Sequence, residues 1–362
     1  MTLRHWGSVG LGFLSISVLA SAAFAVGDDA ASAPALSRIG VPNRANSYVF
    51  EYVPADMSLG AHPWGPNINI AEAWIYARVF TDSGKQYVLM RTVRDLKSNG
   101  VTLTADGKPD ARVPREAVDI TRTVDPSAGM VFSGKGFDVK LSPTAINWTD
   151  QDGKITLQGS GSPLGRVGTA EMIPYTQTDG STGIDIYTGQ YQPVTGNILG
   201  ERVKGMFVID HFIGTELFGG SALSGNEAVW FKFANVFEDG SVEMGELFTE
   251  SAGAHGAGTV PPMHGGSVTD GTKVIATSPD PQVKFVIDPK TNLATKETWT
   301  IGKDQWEFVP DNTPAHALGK SGLMQVWGGV HRIGDKRKII NQFAITEYNV
   351  SRFTPAMLVA GK

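Results

Sequence analysis

The sequence contains no cysteine, and that absence removes several function classes together. There can be no disulfide framework, no thiolate zinc site, no lipid-modified cysteine and no cysteine nucleophile, so packing alone must hold the fold. A run of basic residues is missing too. The formal net charge is −5, which argues against nucleic acid and anionic membrane surfaces as partners. Beyond the first residues there is no long apolar stretch, so no integral membrane segment is expected once the N-terminus is removed. Helical periodicity is also lacking; short helical turns are expected only near Pro114–Ala117 and Thr354–Val359.

What is present begins with an export signature. Arg4 and His5 form a short basic start, Val9 to Leu19 are mostly apolar, and Ala23-Phe24-Ala25 has the small-x-small form of a cleavage site. Residues 1–25 therefore read as a signal peptide, which implies a periplasmic or secreted protein, and residues 26–46 as a loose leader rich in Ala, Ser and Pro. After that the chain is strand and turn. Asp-Gly pairs at 106–107, 152–153, 179–180, 239–240 and 270–271 mark hairpins, as do Asp288–Asn292 and Gly334–Arg337. Short runs of β-branched and aromatic residues lie between them. Many short antiparallel strands with little helix predict barrels or sandwiches, and the length predicts two of them. The expected division is 47–195 and 196–355, with a tail at 356–362, because Gly, Thr, Gln and Pro replace the strand pattern between Gly180 and Arg202.

Chemistry concentrates in the second half. Lys204–Ile213 places Asp210 and His211 inside an apolar, strand-like run, where burial is costly unless each group has a partner or a task. Strand alternation puts Met206, Val208, Asp210 and Phe212 on one face and Phe207, Ile209, His211 and Ile213 on the other. The two ionisable groups therefore do not line one cavity. The unperturbed pKa of histidine lies near neutrality, which makes His211 the favoured proton carrier, with Asp210 as an anchor to a turn or neighbouring strand. A core histidine bonded to a carbonyl is the competing reading.

The hairpin at Asp239-Gly240 carries the second candidate. A two-residue turn pairs Phe237 with Val242, Asn235 with Met244 and Phe233 with Glu246. That register makes one face of Phe231, Phe233, Asn235, Phe237, Val242, Met244, Glu246 and Phe248, and desolvation in this wall would make Glu246 a general acid. Trp230, Lys232, Ala234, Val236, Glu243, Gly245 and Leu247 fall on the opposite face, with Lys232 and Glu243 suited to solvent. A one-residue slip would move Glu246 out, and pairing with Arg202 or Arg332 would make it structural. Trp327, Gly329 and His331 share a strand face whose glycines mark close approach of a ligand or a barrel bend. His255 and His264 flank a Gly/Pro loop near Glu243, Glu246 and Glu250 without metal-ligand spacing, so no metal site is assigned.

Gly205-x-Phe-x-x-Asp210-His211-x-x-Gly214, the strand Trp230-Phe-Lys-Phe233, the following Phe-x-Asp-Gly turn and Glu347-Tyr348 together resemble the lipocalin-like double-barrel proteins that include carotenoid 1,2-hydratases, kievitone-hydratase-like proteins and AttH-type proteins. The resemblance implies an all-β fold of two consecutive antiparallel lipocalin-like (calycin) barrels packed side by side, and an apolar, often isoprenoid, ligand. It also implies acid-catalysed addition of water to an alkene, with the Asp-His element taking part. The expectation is an exported hydratase or dehydratase that needs no cofactor. It would use His211, Asp210 and Glu246 for catalysis and Phe212, Trp230, Phe231, Phe233, Asn235, Met244, Trp327 and His331 for binding. A non-catalytic carrier or sensor of the same ligands is the alternative, and a carbohydrate-active β-sandwich the third reading, weakened by the lack of a well-placed carboxylate pair. The oligomeric state is left open.

Overall fold

The computed structural model describes residues 48–50, 70–94, 96–113, 115–125, 129–141, 146–160, 165–168, 173–176, 182–214, 227–250, 265–278, 280–318 and 322–359, some of them by backbone alone. The export signature, the leader and the Asp179-Gly180 turn lie outside these residues. Among the described residues every strand pairing is antiparallel and helix is confined to short 3-10 turns. One of those turns, Pro355–Met357, falls where a helical turn was expected. Residues 115–117 form none.

The first sheet closes on itself. From Thr182–Ile198 hydrogen bonding runs through Ile155–Gly159, Ile146–Asp150, Phe137–Leu141, Gly129–Gly134, Val118–Asp125, Lys97–Ser98, Gln86–Arg94 and Ile70–Thr81 to Glu201–Gly214, which pairs back to Thr182–Ile198. The second sheet runs from Val274–Ser278 through Gly265–Thr269, Val242–Glu250, Glu227–Phe237, Ile339–Tyr348, Leu323–Arg332, Asp304–Pro310 and Leu293–Ile301 to Gln282–Asp288, and curls until its first strands lie beside Leu293–Ile301. These are two lipocalin-like barrels. The first extends further than expected: Glu201–Gly214 belongs to it, so a division after residue 195 would cut through the hairpin that closes the barrel. The sheet changes between Gly214 and Glu227. The expected tail docks on the second sheet, where Leu358 bridges Phe285 in parallel and Val359 donates to the Phe285 carbonyl at 2.9 Å.

Turn chemistry set most hairpins as expected. Asp106 and Gly107 both take positive φ, 43° and 76°, as a two-residue type I′ turn requires. The 238–240 turn differs. Phe237 N–H donates to Ser241 O at 2.9 Å and Gly240 N–H to Phe237 O at 3.0 Å. Of Asp239 and Gly240 only the glycine has positive φ, 81°. This is a three-residue loop ending in a left-handed glycine, with Asp239 Oδ1 accepting from Ser241 N at 2.9 Å. The extra loop residue shifts the register by one: Lys232 faces Glu246, Phe233 faces Gly245, and Asn235 faces Glu243.

Both lumens are filled by their own side chains in the described region. The first holds Tyr87, Phe132, Phe137, Trp148, Phe207 and Ile209. It also buries an Arg91–Asp150 ion pair at 2.7 Å, to which Trp148 Nε1 donates at 2.9 Å. The second holds Phe231, Phe233, Trp299, Trp306, Phe308 and Tyr348. Gly245 is required here. A Cβ at that position would fall 2.3 Å from the edge of the Phe233 ring, which covers the glycine from the facing strand.

Outer faces of the two sheets bury each other. Tyr76, Val88, Met90, Tyr191, Met206 and Val208 from the first pack on Trp230, Ala234, Met244, Phe248, Trp327, Phe343 and Ile345 from the second. Polar ties flank this layer. Arg78 pairs with Asp311 at 2.8 Å and also donates to the Gly328 carbonyl, and Asn341 Nδ2 donates to Gly205 O at 2.8 Å.

Candidate active site between the two barrels

Asp210, Lys232 and Glu246 meet inside that layer. Asp210 is 3 % exposed; Lys232 and Glu246 are fully buried. Lys232 donates to Asp210 Oδ1 across the two sheets, and its Nζ lies 3.4 Å from Glu246 Oε1 on the neighbouring strand. Trp230 Nε1 donates to the same Glu246 oxygen at 2.9 Å, fixing the carboxylate. Tyr191 closes the group from the first barrel, its hydroxyl donating to Gly245 O at 3.3 Å. The Lys232 ammonium sits 5.4 Å from the Trp230 ring centroid and 5.6 Å from that of Tyr191, within reach of both ring quadrupoles.

Electrostatics follow from burial. Desolvation lowers the Lys232 pKa to about 8, with Glu246 and Glu347 pulling it back up. Tyr191 is raised well above its ordinary value by burial and by the Glu246 charge. Glu347 sits opposite Trp230 in the register, one diagonal step from Lys232. It accepts from Gln325 Nε2 at 2.6 Å, and desolvation raises it to about 7.

A second buried acid lies in the lumen of the second barrel. Glu297 is fully buried beside Phe231, Trp299 and Phe308. Its Oε2 accepts from Trp299 Nε1 and from Thr346 Oγ1, each at 3.1 Å, while Oε1 has no hydrogen-bond partner. Desolvation raises its pKa to about 8, against the pull of those two donors.

The residues singled out in the sequence divide between these places. Asp210, Trp230, Met244, Glu246 and Trp327 come together between the barrels. Phe231, Phe233 and Asn235 line the second lumen instead; Asn235 Nδ2 donates to Val330 O at 3.3 Å. His331 is exposed and faces Glu307 across the ladder, so it lines neither place; its strand has left the inter-barrel layer by that point. His211 pairs through its backbone with Thr188 and Ala73; its side chain and that of Phe212 lie outside the described residues, as do His255 and His264. Glu246 did not enter the lumen, because the three-residue loop moved it to the outer face. It remains buried there because that face is covered by the first barrel. Arg332, considered as its partner, pairs with Asp304 at 2.9 Å.

Three groups escaped the sequence reading. Lys232 lay on a face assigned to solvent, and only the packing of one sheet on the other buries it. Tyr191 comes from the other barrel. Glu297 was legible: Glu297, Trp299 and Ile301 share parity along one strand. Among the described residues no three His, Asp or Glu side chains cluster to hold a metal ion.

No protein-family model and no curated protein matches this sequence. Solved structures do match by shape. An AttH-like protein from Nitrosomonas europaea superposes with a TM-score of 0.51 at 13% identity, covering 85% of this chain and 98% of its own. That likeness establishes the fold and agrees with the double barrel expected from the Gly205–Gly214 element. Weaker matches are CghA with Sch210972, at TM-score 0.44 and 7% identity over 79% of this chain and 90% of its own, and kievitone hydratase from Nectria haematococca, at 0.40 and 8% over 85% and 97%.

Proposed function

We propose that this double-barrel protein is an acid–base lyase that adds water to, or removes it from, an apolar small molecule, and that the reaction takes place at the inter-barrel cluster. One observation carries the reading: Asp210 from one barrel meets Lys232 and Glu246 from the other in a water-excluded layer walled by Trp230, Tyr191, Phe248 and Trp327. Ionisable groups buried in this way are expensive to maintain and concentrate where proton transfer is needed. Glu246 is held by the Trp230 indole and lies beside the Lys232 ammonium, so it can take a proton and return it without reorganising. The aromatic rings supply quadrupoles for positive charge that develops at carbon when an alkene is protonated. Export is proposed with it, on the N-terminal signature; N-terminal sequencing of the mature protein should find Val26 at or near its start.

Mass spectrometry of the mature protein incubated with terpenoids, phenylpropanoids and sterols tests the reaction. Gain or loss of one water supports it. A ligand that co-purifies unchanged, with no turnover across the panel, supports the carrier reading instead.

A further inference from the structure

We infer that Lys232 is a covalent catalyst, its amine condensing with the carbonyl carbon of an apolar aldehyde or ketone to give an iminium ion. The inference takes its location from the function proposed above, but the covalent step stands on its own geometry. Lys232 carries a primary amine at the end of a fully buried stem, in a layer of Met206, Val208, Met244 and Phe248 that excludes the bulk water which would hydrolyse an imine. Two carboxylates, Asp210 and Glu246, flank the nitrogen, and Trp230 fixes one of them. The charged groups facing it are those two and Glu347, with the Tyr191 hydroxyl beside them. A lysine kept from water gives up its proton near neutrality, as buried Schiff-base lysines do, and desolvation brings this one to about 8.

The chemistry balances with groups already present. Glu246 or Asp210 takes one proton from the ammonium, and the freed lone pair attacks the carbonyl carbon. The added nitrogen, now cationic, passes a proton by way of the second carboxylate to the carbonyl oxygen, which becomes the carbinolamine hydroxyl and leaves the nitrogen its lone pair. That hydroxyl leaves as water with a second proton from the carboxylic acid, and the nitrogen lone pair forms the C=N bond. In sum, ammonium plus carbonyl gives iminium plus water, with no oxidant or reductant. The iminium acidifies the adjacent C–H, so loss of a β-hydroxyl, or its reverse, follows at the same carboxylates. The substrate class is thereby narrowed to β-hydroxy carbonyls and their conjugated enals or enones.

Reductive trapping tests this directly. The folded protein is incubated with cinnamaldehyde and cyanoborohydride at pH 7, and adducts are mapped by peptide mass spectrometry. The adduct should accumulate on Lys232 in preference to the exposed lysines. Lys232→Arg keeps the positive charge between Asp210 and Glu246 and should fold, yet carry no adduct. Adducts on surface lysines with Lys232 unmodified would overturn the inference. So would turnover that survives in Lys232→Arg. Trapping at Lys232 without any gain or loss of water across the panel would uphold the covalent step and remove the lyase reading. Hydration with no trapped adduct would do the reverse.

Discussion

Replacing Glu297 by Gln should change how stability depends on pH. The carboxyl is fully buried, with Oε2 accepting from Trp299 and Thr346 and Oε1 facing no donor. Desolvation raises its pKa from 4.5 to about 8. Between those values the folded chain holds a proton that the unfolded chain has released, so stability falls as pH rises through this window. The slope is ~1.4 kcal/mol per pH unit, and the full interval is worth on the order of 5 kcal/mol. Below pH 4.5 both states are protonated and the contribution is wholly present; above about 8 it is lost. Glu243 and Glu347 are also raised by burial, and Lys232 is lowered, so wild type alone mixes several titrations. The informative quantity is the difference between Glu297→Gln and wild type, measured by urea unfolding at several pH values from 5 to 8. The amide is a near-isostere, and any cost of its unpaired N–H is independent of pH. The difference should move in favour of the variant by ~1.4 kcal/mol for each pH unit. A difference that stays constant over this range would show that the carboxyl is solvated, and would refute the assignment of a dry lumen.

Other consequences follow from the same packing. Gly245→Ala pushes a methyl into the buried Phe233 ring and should cost about 1–3 kcal/mol in denaturant unfolding, as overpacking does; Phe233→Leu beside it should recover part of that loss. Lys232→Met strands Asp210 and Glu246 without their cation and should destabilise the protein by about 3–5 kcal/mol at neutral pH. Thermal melts should show this deficit shrinking as pH falls and the carboxylates protonate. Trp230→Phe removes the indole donor to Glu246 while keeping an aromatic ring, and should cost about 1–3 kcal/mol.

How much of this was legible in the sequence depends on which faces were covered. Strand parity separated Asp210 from Phe207 and Ile209 correctly, and turn residues located most hairpins. Two decisions needed more than local pattern. The loop after Phe237 holds three residues instead of two, and because side chains alternate with period two, that one residue moved Glu246 and Met244 to the opposite face. Lys232 then looked solvent-facing, since an amphipathic strand is read as having one wet side. Here the side away from the lumen is buried as well, by a second barrel whose approach no single strand announces. Glu297 was accessible to a parity argument, because it shares a strand face with Trp299 and Ile301, both of which line the second lumen.

The most direct test compares turnover of two variants that differ only in which buried acid is neutralised. Once a substrate showing gain or loss of one water is in hand, Glu246→Gln should lower kcat by about 10²–10⁴-fold, the usual weight of a general acid or base, while Glu297→Gln should stay close to wild type. Full activity in Glu246→Gln with loss in Glu297→Gln would place the chemistry in the second lumen and contradict the inter-barrel site.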